Sequence, residues 1–263
     1  MRGHEALKRG REHRDRSIRF DRVGVVSQDV TEAGPVIRTI LDDIDLELTA
    51  DFTTVVGQNG SGKSTLLQLC NGLVRPDTGR VLVDGLDAER QVKEVRRRVG
   101  FVFTDPATQL VMPTVIEDVE LSLKRSVKRR AERHERAMEV LAGLGLDDLA
   151  GRSVYELSGG QRQLVALASV LAVDPAVLIL DEPTTLLDLV NERLLLDTVE
   201  GLLARGVRVI ATTHNLDFAR RADEAVHVAD GRIAAHGPAA EVVAGYVDSV
   251  TRDVARIREE RGR

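Results

Sequence analysis

The segment TTVVGQNGSGKSTLLQLCNG, residues 53–72, passes from an apolar β-branched run through a glycine-rich loop into a leucine-rich helical pattern. TTVV (53–56) reads as a buried strand, and Leu66, Leu67 and Leu69 open an apolar helix. Between them GQNGSGKST (57–65) fits the spacing G-x-x-x-x-G-K-[ST], in the strand–loop–helix setting that makes this spacing a phosphate-binding loop. Its glycines let consecutive backbone N–H groups curl round a phosphate, and the helix start adds partial positive charge. Gly57, Gln58, Asn59, Gly60, Ser61, Gly62, Lys63, Ser64 and Thr65 are therefore the expected phosphate-contacting set. Lys63 is expected to reach the β- and γ-phosphates of a nucleoside triphosphate, and Ser64 to offer its hydroxyl to Mg²⁺.

On either side of this loop, from Ile18 onward, short apolar runs alternate with helical patterns. RVLV (80–83), VGFVF (99–103), AVLIL (176–180) and VRVIATT (207–213) join TTVV as the clearest strands. Such alternation predicts an α/β domain with a mostly parallel core sheet covered by helices. Each run ends in polar or glycine-rich residues, which places a ligand at the carboxyl edge of that sheet. From Pro106 to Ser158 the strand pattern stops, and Ala137, Val140, Leu141 and Leu144 fall on one helical face. A helical subdomain is expected there, over about 105–160.

Composition narrows the partners. The chain has 263 residues, 3% aromatic and without Trp, so rings for stacking on single-stranded nucleic acid are scarce. A formal net charge of -5 does not make the positive field of a duplex binder. The only cysteine, Cys70, sits among leucines and reads as core packing. No apolar run is long enough to span a bilayer, and the mixed-charge start, residues 1–16, reads as a flexible basic lead-in with no apolar signal segment. Its arginines could instead touch lipid headgroups.

Two further constellations carry chemistry. AVLILDEPT ends a buried strand on Asp181 and Glu182, where a carboxylate is costly unless a cation or donor meets it. Asp181 is expected to hold Mg²⁺ through water beside Ser64, and Glu182 to take a proton from the attacking water. In LSGGQRQLVALASVLA, Ser158 and Gln161 form a capping box, and Leu164, Leu167, Ala168 and Leu171 continue the helix. Gly159 and Gly160 leave the first-turn N–H groups bare, which builds a second anion-binding helix start in one chain. One nucleotide has one triphosphate, so this second start is expected to serve a nucleotide held by another subunit.

Taken in order, these motifs resemble the ATP-binding cassette (ABC) ATPases, over roughly residues 18–240. GQNGSGKST looks like the family's Walker A, LILDEP (178–183) its Walker B, LSGGQRQ (157–163) its signature, LLD (186–188) its D-loop and TTH (212–214) its switch histidine. The resemblance implies a P-loop NTPase fold with an antiparallel β subdomain beside the core sheet and helical subdomain, over 17–245, with a C-terminal helical tail at 246–263. It also implies ATP and Mg²⁺, catalytic Glu182, His214 and Lys63, and a head-to-tail dimer that sandwiches two ATP molecules. Leu157, Ser158, Gly159, Gly160, Gln161 and Asp188 would contact nucleotide in that dimer.

The segment VGFVFTDPATQLVMPTVIEDV (99–119) is similar to that of energy-coupling-factor ATPases, the motors of vitamin and transition-metal uptake, and its wording is most like those of biotin transporters. That likeness implies an importer motor peripheral to the cytoplasmic face of the membrane, with a transmembrane coupling subunit and a substrate-binding membrane subunit. The implied cargo is biotin, with cobalt or nickel as the alternative. Both half-sites look complete in one chain, which favours a homodimer over a paralogous heterodimer, and no nucleic-acid partner is implied. The other readings are a soluble cassette acting on ribosomes or DNA and a non-catalytic scaffold.

Two positions depart from the pattern. Thr104 stands where the family has a glutamine that touches Mg²⁺ or its water, and Val26–Ser27 lacks the tyrosine on which many relatives stack adenine. Thr104 is expected to face the metal through a water, with Asp105 or Gln109 as the competing candidates. A groove including Gln109, Val111, Met112, Pro113 and Glu117 is expected to receive a helix of the membrane partner.

Overall fold

A computed structural model of the chain describes residues 16–31 and 34–261. All but the last residue of the expected lead-in thus lies outside the described residues. β1 (Ile18–Thr31) and β2 (Gly34–Leu48) form a long antiparallel hairpin, and β3 (Phe52–Val56) leads into α1 (Lys63–Leu69). Next come β4 (Thr78–Val83), β5 (Leu86–Asp87), α2 (Val92–Arg98) and β6 (Val99–Val102). α3 (Val115–Leu123), α4 (Arg130–Gly143) and α5 (Gly159–Leu171) follow, then β7 (Val177–Leu180), α6 (Leu189–Ala204) and β8 (Arg208–Thr212). The chain ends in α7 (Leu216–Ala219), β9 (Glu224–Ala229), β10 (Arg232–Pro238) and α8 (Ala239–Arg261).

The core sheet has the order β10-β9-β3-β8-β7-β6, parallel except for the antiparallel edge strand β10. β3, β6, β7 and β8 are buried at every position, as strands covered on both faces must be. RVLV departs from the expectation: it lies in β4 of a second, antiparallel sheet of order β2-β1-β4-β5. The physical sign is in its burial, since Val81 and Val83 are buried while Leu82 between them is not, the mark of a sheet with one covered face. That sheet and α1 cover one side of the core through Ile18, Phe20, Val81, Leu66 and Leu67. On the other side, α6, α7 and α8 cover it through Leu195, Val199, Phe218 and Val243.

The helical subdomain has a core of its own, in which Val115, Val119, Ala137, Leu141, Leu144 and Val165 meet, while Val140 is half-buried beside them. α5 belongs to both bodies. Its Leu164 and Ala168 face the subdomain and Leu167 the core, and a Cβ on Gly100 of β6 would come within 2.4 Å of Val170 Cγ1. That close approach locks the helix against the strand. The expected tail is not a separate segment: α8 runs unbroken through 245–246, because Ala239, Val242 and Val243 already anchor its first turns in the core.

Candidate functional site

β3 delivers the phosphate loop at the carboxyl edge of the core sheet, flanked by β8 and β9. Gly57 has φ +153°, and a Cβ there would meet Val228 O at 2.2 Å, so only glycine lets the loop pass this close to β9. Gly62 caps α1 at φ +104° with no side-chain hydrogen bond, so the first N–H groups of the helix stay available to a ligand. Lys63 is only 6% exposed and folds back, its Nζ donating to Gly57 O (3.0 Å) and Gln58 O (3.1 Å). Burial pulls this ammonium below its usual range, opposed by Glu182 and Asp181.

β7 brings the two acids beside the loop. Asp181 Oδ1 accepts from Ser64 Oγ (3.0 Å) and Thr212 Oγ1 (2.7 Å). Thr212 Oγ1 in turn accepts from Glu182 N (2.8 Å), which holds Glu182 in the left-handed region at φ 50°, an uncommon conformation for a side-chain-bearing residue. Glu182 Oε1 lies 3.0 Å from His214 Nε2, while Oε2 is buried and has no partner among the described residues. Burial pushes this carboxyl above the usual carboxylate range, against His214 and Lys63, which lower it, and with Asp181, which raises it. A half-buried acid with one unpartnered oxygen and a raised pKa is equipped to take up a proton.

Asn59, Gly60, Gly62, Lys63, Ser64, Thr65, Thr104, Glu182 and His214 line one pocket of about 440 Å³. Its remaining walls are Thr185, Arg38 and Ile40, none of them singled out by the sequence. Arg38 and Ile40 belong to β2, and only the pairing of β2 with β1 brings them here, so no local motif could have marked them. Thr104 is among the residues that line the pocket. Gln109 is not: its carboxamide accepts from Phe103 N (3.2 Å) and donates to Ala166 O (3.4 Å). Gln163 Nε2 donates to Phe103 O (3.2 Å), so two glutamines tie the residue before Thr104 to α5 and its connection.

Other expected contacts lie outside this pocket. Gln58 turns its side chain to Asp253 of α8, donating from Nε2 at 3.2 Å. Asp188 caps its own helix, α6, by accepting from Asn191 N (2.9 Å). Leu157, Ser158, Gly159, Gly160 and Gln161 gather at the start of α5, where the capping box forms: Ser158 N donates to Gln161 Oε1 (3.0 Å) and Gln161 N to Ser158 Oγ (3.2 Å). This cap leaves the N–H groups of Gly159 and Gly160 free of the helix's own ladder.

The donor set suits Mg²⁺. A hydroxyl and a carboxylate, Ser64 and Asp181, stand at the phosphate loop, and Mg²⁺ takes one or two such oxygens with waters and substrate phosphates rather than an all-protein cage. Among the described residues no group of three or more His, Cys, Asp or Glu could form such a cage.

The core sheet, the loop and the acids at its carboxyl edge define a P-loop nucleoside triphosphatase. The ABC transporter family model matches residues 41–185, and the chain belongs to that family as an ABC-type ATPase, with ATP as its substrate and Mg²⁺ as its metal. It is 42% identical over 209 residues to a biotin transport ATP-binding protein, BioM, of Rhizobium etli, covering 80% of this chain and 92% of that protein. It is 43% identical over 222 residues to an energy-coupling factor transporter ATP-binding protein, EcfA2, of Symbiobacterium thermophilum, covering 82% of this chain and 76% of that one. Among solved structures, the dimeric post-hydrolysis state of the ATP-binding cassette MJ0796 bound to ADP and Pi is similar at TM-score 0.76 and 28% identity, over 84% of this chain and 98% of that one. The structure of cbiO1 from Clostridium perfringens is similar at TM-score 0.71 and 29% identity, over 94% and 98%. No helix among the described residues is long and apolar enough to cross a membrane.

Proposed function

We propose that this chain is the ATP-hydrolysing motor of an energy-coupling-factor importer, peripheral to the cytoplasmic face of the membrane, with biotin as the cargo. The observation that carries the hydrolytic role is Glu182, 3.0 Å from His214 and with one buried carboxylate oxygen free, in the same pocket as Lys63 and Ser64. The loop N–H groups and Lys63 hold the β- and γ-phosphates. Ser64 and Asp181 hold Mg²⁺, which when bound neutralises charge on the phosphate oxygens. Glu182 accepts the proton of the attacking water, and its raised pKa makes it a better acceptor than an ordinary glutamate. His214 fixes the carboxylate and faces the γ-phosphate end of the pocket.

The reading as a head-to-tail homodimer is supported by the separation of the two half-sites within one chain. The α5 start, with Ser158 to Gln161, does not line the chain's own pocket, and it leaves N–H groups suited to the γ-phosphate of ATP held by a second copy. Asp188, at the start of α6, would meet the second copy on the same side. Likeness to the biotin transport protein supports the cargo, and transmembrane coupling and substrate-binding subunits are the partners that such a motor drives.

The test is ATP turnover by the purified chain. Glu182→Gln is expected to bind ATP and accumulate as a dimer while hydrolysis falls by about 10²–10⁴-fold, the usual contribution of a positioned base. Ser158→Arg is expected to stop turnover by filling the partner's γ-phosphate space. Turnover by both variants at the wild-type rate would exclude the shared site. Uptake of labelled biotin against cobalt or nickel, by cells carrying the chain with its membrane subunits, decides the cargo.

A further inference from the structure

One wall of the pocket, beside Gly60, holds a feature that the phosphate chemistry does not use. Arg38 and Ile40 are two residues apart on β2 and so point to the same face, and both line the pocket beside Asn59 and Gly60. Arg38 is exposed, and among the described residues its guanidinium has no hydrogen bond or ion pair. Its Nη2 lies 3.8 Å from where a Cβ on Gly60 would stand, so the guanidinium overhangs the outer rim of the loop. Across the hairpin its partner is Ser27, too small to fill the space from β1. None of the residues lining the pocket is Phe, Tyr or Trp.

A triphosphate seated on Gly60, Lys63 and Ser64, with its γ end at Glu182 and His214, must lay its base at the other end, and Arg38 and Ile40 are the walls left to meet it. We propose that the Arg38 guanidinium stacks on the face of the bound nucleobase while Ile40 packs beside it, so that a planar cation and a branched aliphatic form the base platform. A guanidinium is planar, weakly hydrated and always charged, and it stacks on π-faces where an ammonium cannot. Because every base has a π-face, such a platform grips the base with little discrimination between purines. The phosphates are already met by Lys63 and the loop N–H groups, and Arg38 lies on a different strand from that cluster. This proposal rests on the reading of the loop as a triphosphate site.

The experiment is equilibrium binding to the full chain by calorimetry, with ATP, GTP and inorganic tripolyphosphate, for the wild type and for Arg38→Ala, Arg38→Lys and Arg38→Phe. Arg38→Ala is expected to weaken ATP about 5- to 150-fold, the range of one lost base–side-chain stack, while tripolyphosphate binding stays unchanged. Arg38→Phe should restore ATP affinity, Arg38→Lys should not, and wild-type affinity for GTP should be comparable to that for ATP. Equal losses for ATP and tripolyphosphate, with rescue by Arg38→Lys, would overturn base stacking in favour of a phosphate contact. Unchanged ATP affinity in Arg38→Ala would remove Arg38 from the site, while a wild type that bound neither ATP nor tripolyphosphate would overturn the phosphate-site reading itself.

Discussion

Glu182 combines three costs at one residue: a left-handed backbone, a partly desolvated carboxyl and a buried oxygen without a partner among the described residues. Its raised pKa makes folding pH-dependent with a definite sign. The unfolded glutamate ionises near pH ~4.3 and the folded one higher, so between the two the folded chain holds a proton that the unfolded chain has lost, and stability falls as pH rises. Above the folded pKa the whole penalty is present. Glu182→Gln should therefore melt above the wild type at pH 8 without nucleotide, and the gap should close on acidification to about pH 4. Equal melting at pH 8 would mean that the carboxylate is not strained by its burial. Thr104 is the second residue whose role can be weighed. Thr104 lines the pocket, whereas Gln109 is spent on Phe103 N and Ala166 O. Thr104→Val keeps the shape and removes a hydrogen bond worth about 0.5–1.5 kcal/mol, so turnover should slow roughly 2- to 13-fold. Gln109→Ala should act mainly by loosening the strand end. A silent Thr104→Val beside a crippled Gln109→Ala would reverse the assignment.

α3 is held by a residue that an inspection of helix faces passes over. Asp118 is buried, and its Oδ1 accepts from Val111 N (2.9 Å) and Met112 N (3.1 Å) while Oδ2 accepts from Ser169 Oγ (2.8 Å). One carboxylate thus joins the 111–112 loop, α3 and α5. In sequence it is one more acid in the first turn of a helix, where acids are common for the helix dipole alone. Removing it strands two backbone N–H groups and a hydroxyl, each at about 1–3 kcal/mol if left unpaired. Asp118→Ala is expected to cost about 3 kcal/mol in chemical denaturation, at the scale set by hydrogen bonds to a charged group. A loss too small to measure would show that water replaces the carboxylate without penalty.

The same loop presents the surface proposed for the membrane partner. Val111 is 67% exposed and so does not cover the core, Pro113 and Glu117 are exposed, and Met112 is half-buried. Glu117 Oε2 accepts from Thr114 Oγ1 (2.7 Å), which ties its carboxylate to the start of α3. Gln109 is drawn inward and drops out of the expected set. An arginine-bearing amphipathic helix suits these apolar and acidic positions. Glu117→Lys should leave the melting temperature of the isolated chain unchanged and reduce its co-purification with membrane subunits. Assembly and uptake at wild-type levels would take Glu117 out of the interface.

Local spacing was enough for the phosphate loop, for Asp181 and Glu182 at the end of a fully apolar run, and for the Ser158–Gln161 cap, because each is made by residues adjacent in the chain. Periodicity was enough for the helical subdomain, whose Ala137 and Leu141 are fully buried as their spacing required. It was not enough to assign RVLV to a sheet, since apolar content alone does not say whether one face or two will be covered. The placement of Arg38 needed the hairpin register that sets it across from Ser27. The inward turn of Gln109 needed the contact of Phe103 with α5, and the burial of Asp118 needed a loop and two helices to converge. Those contacts join residues far apart in sequence, and a carboxylate or guanidinium takes its chemistry from what surrounds it in space.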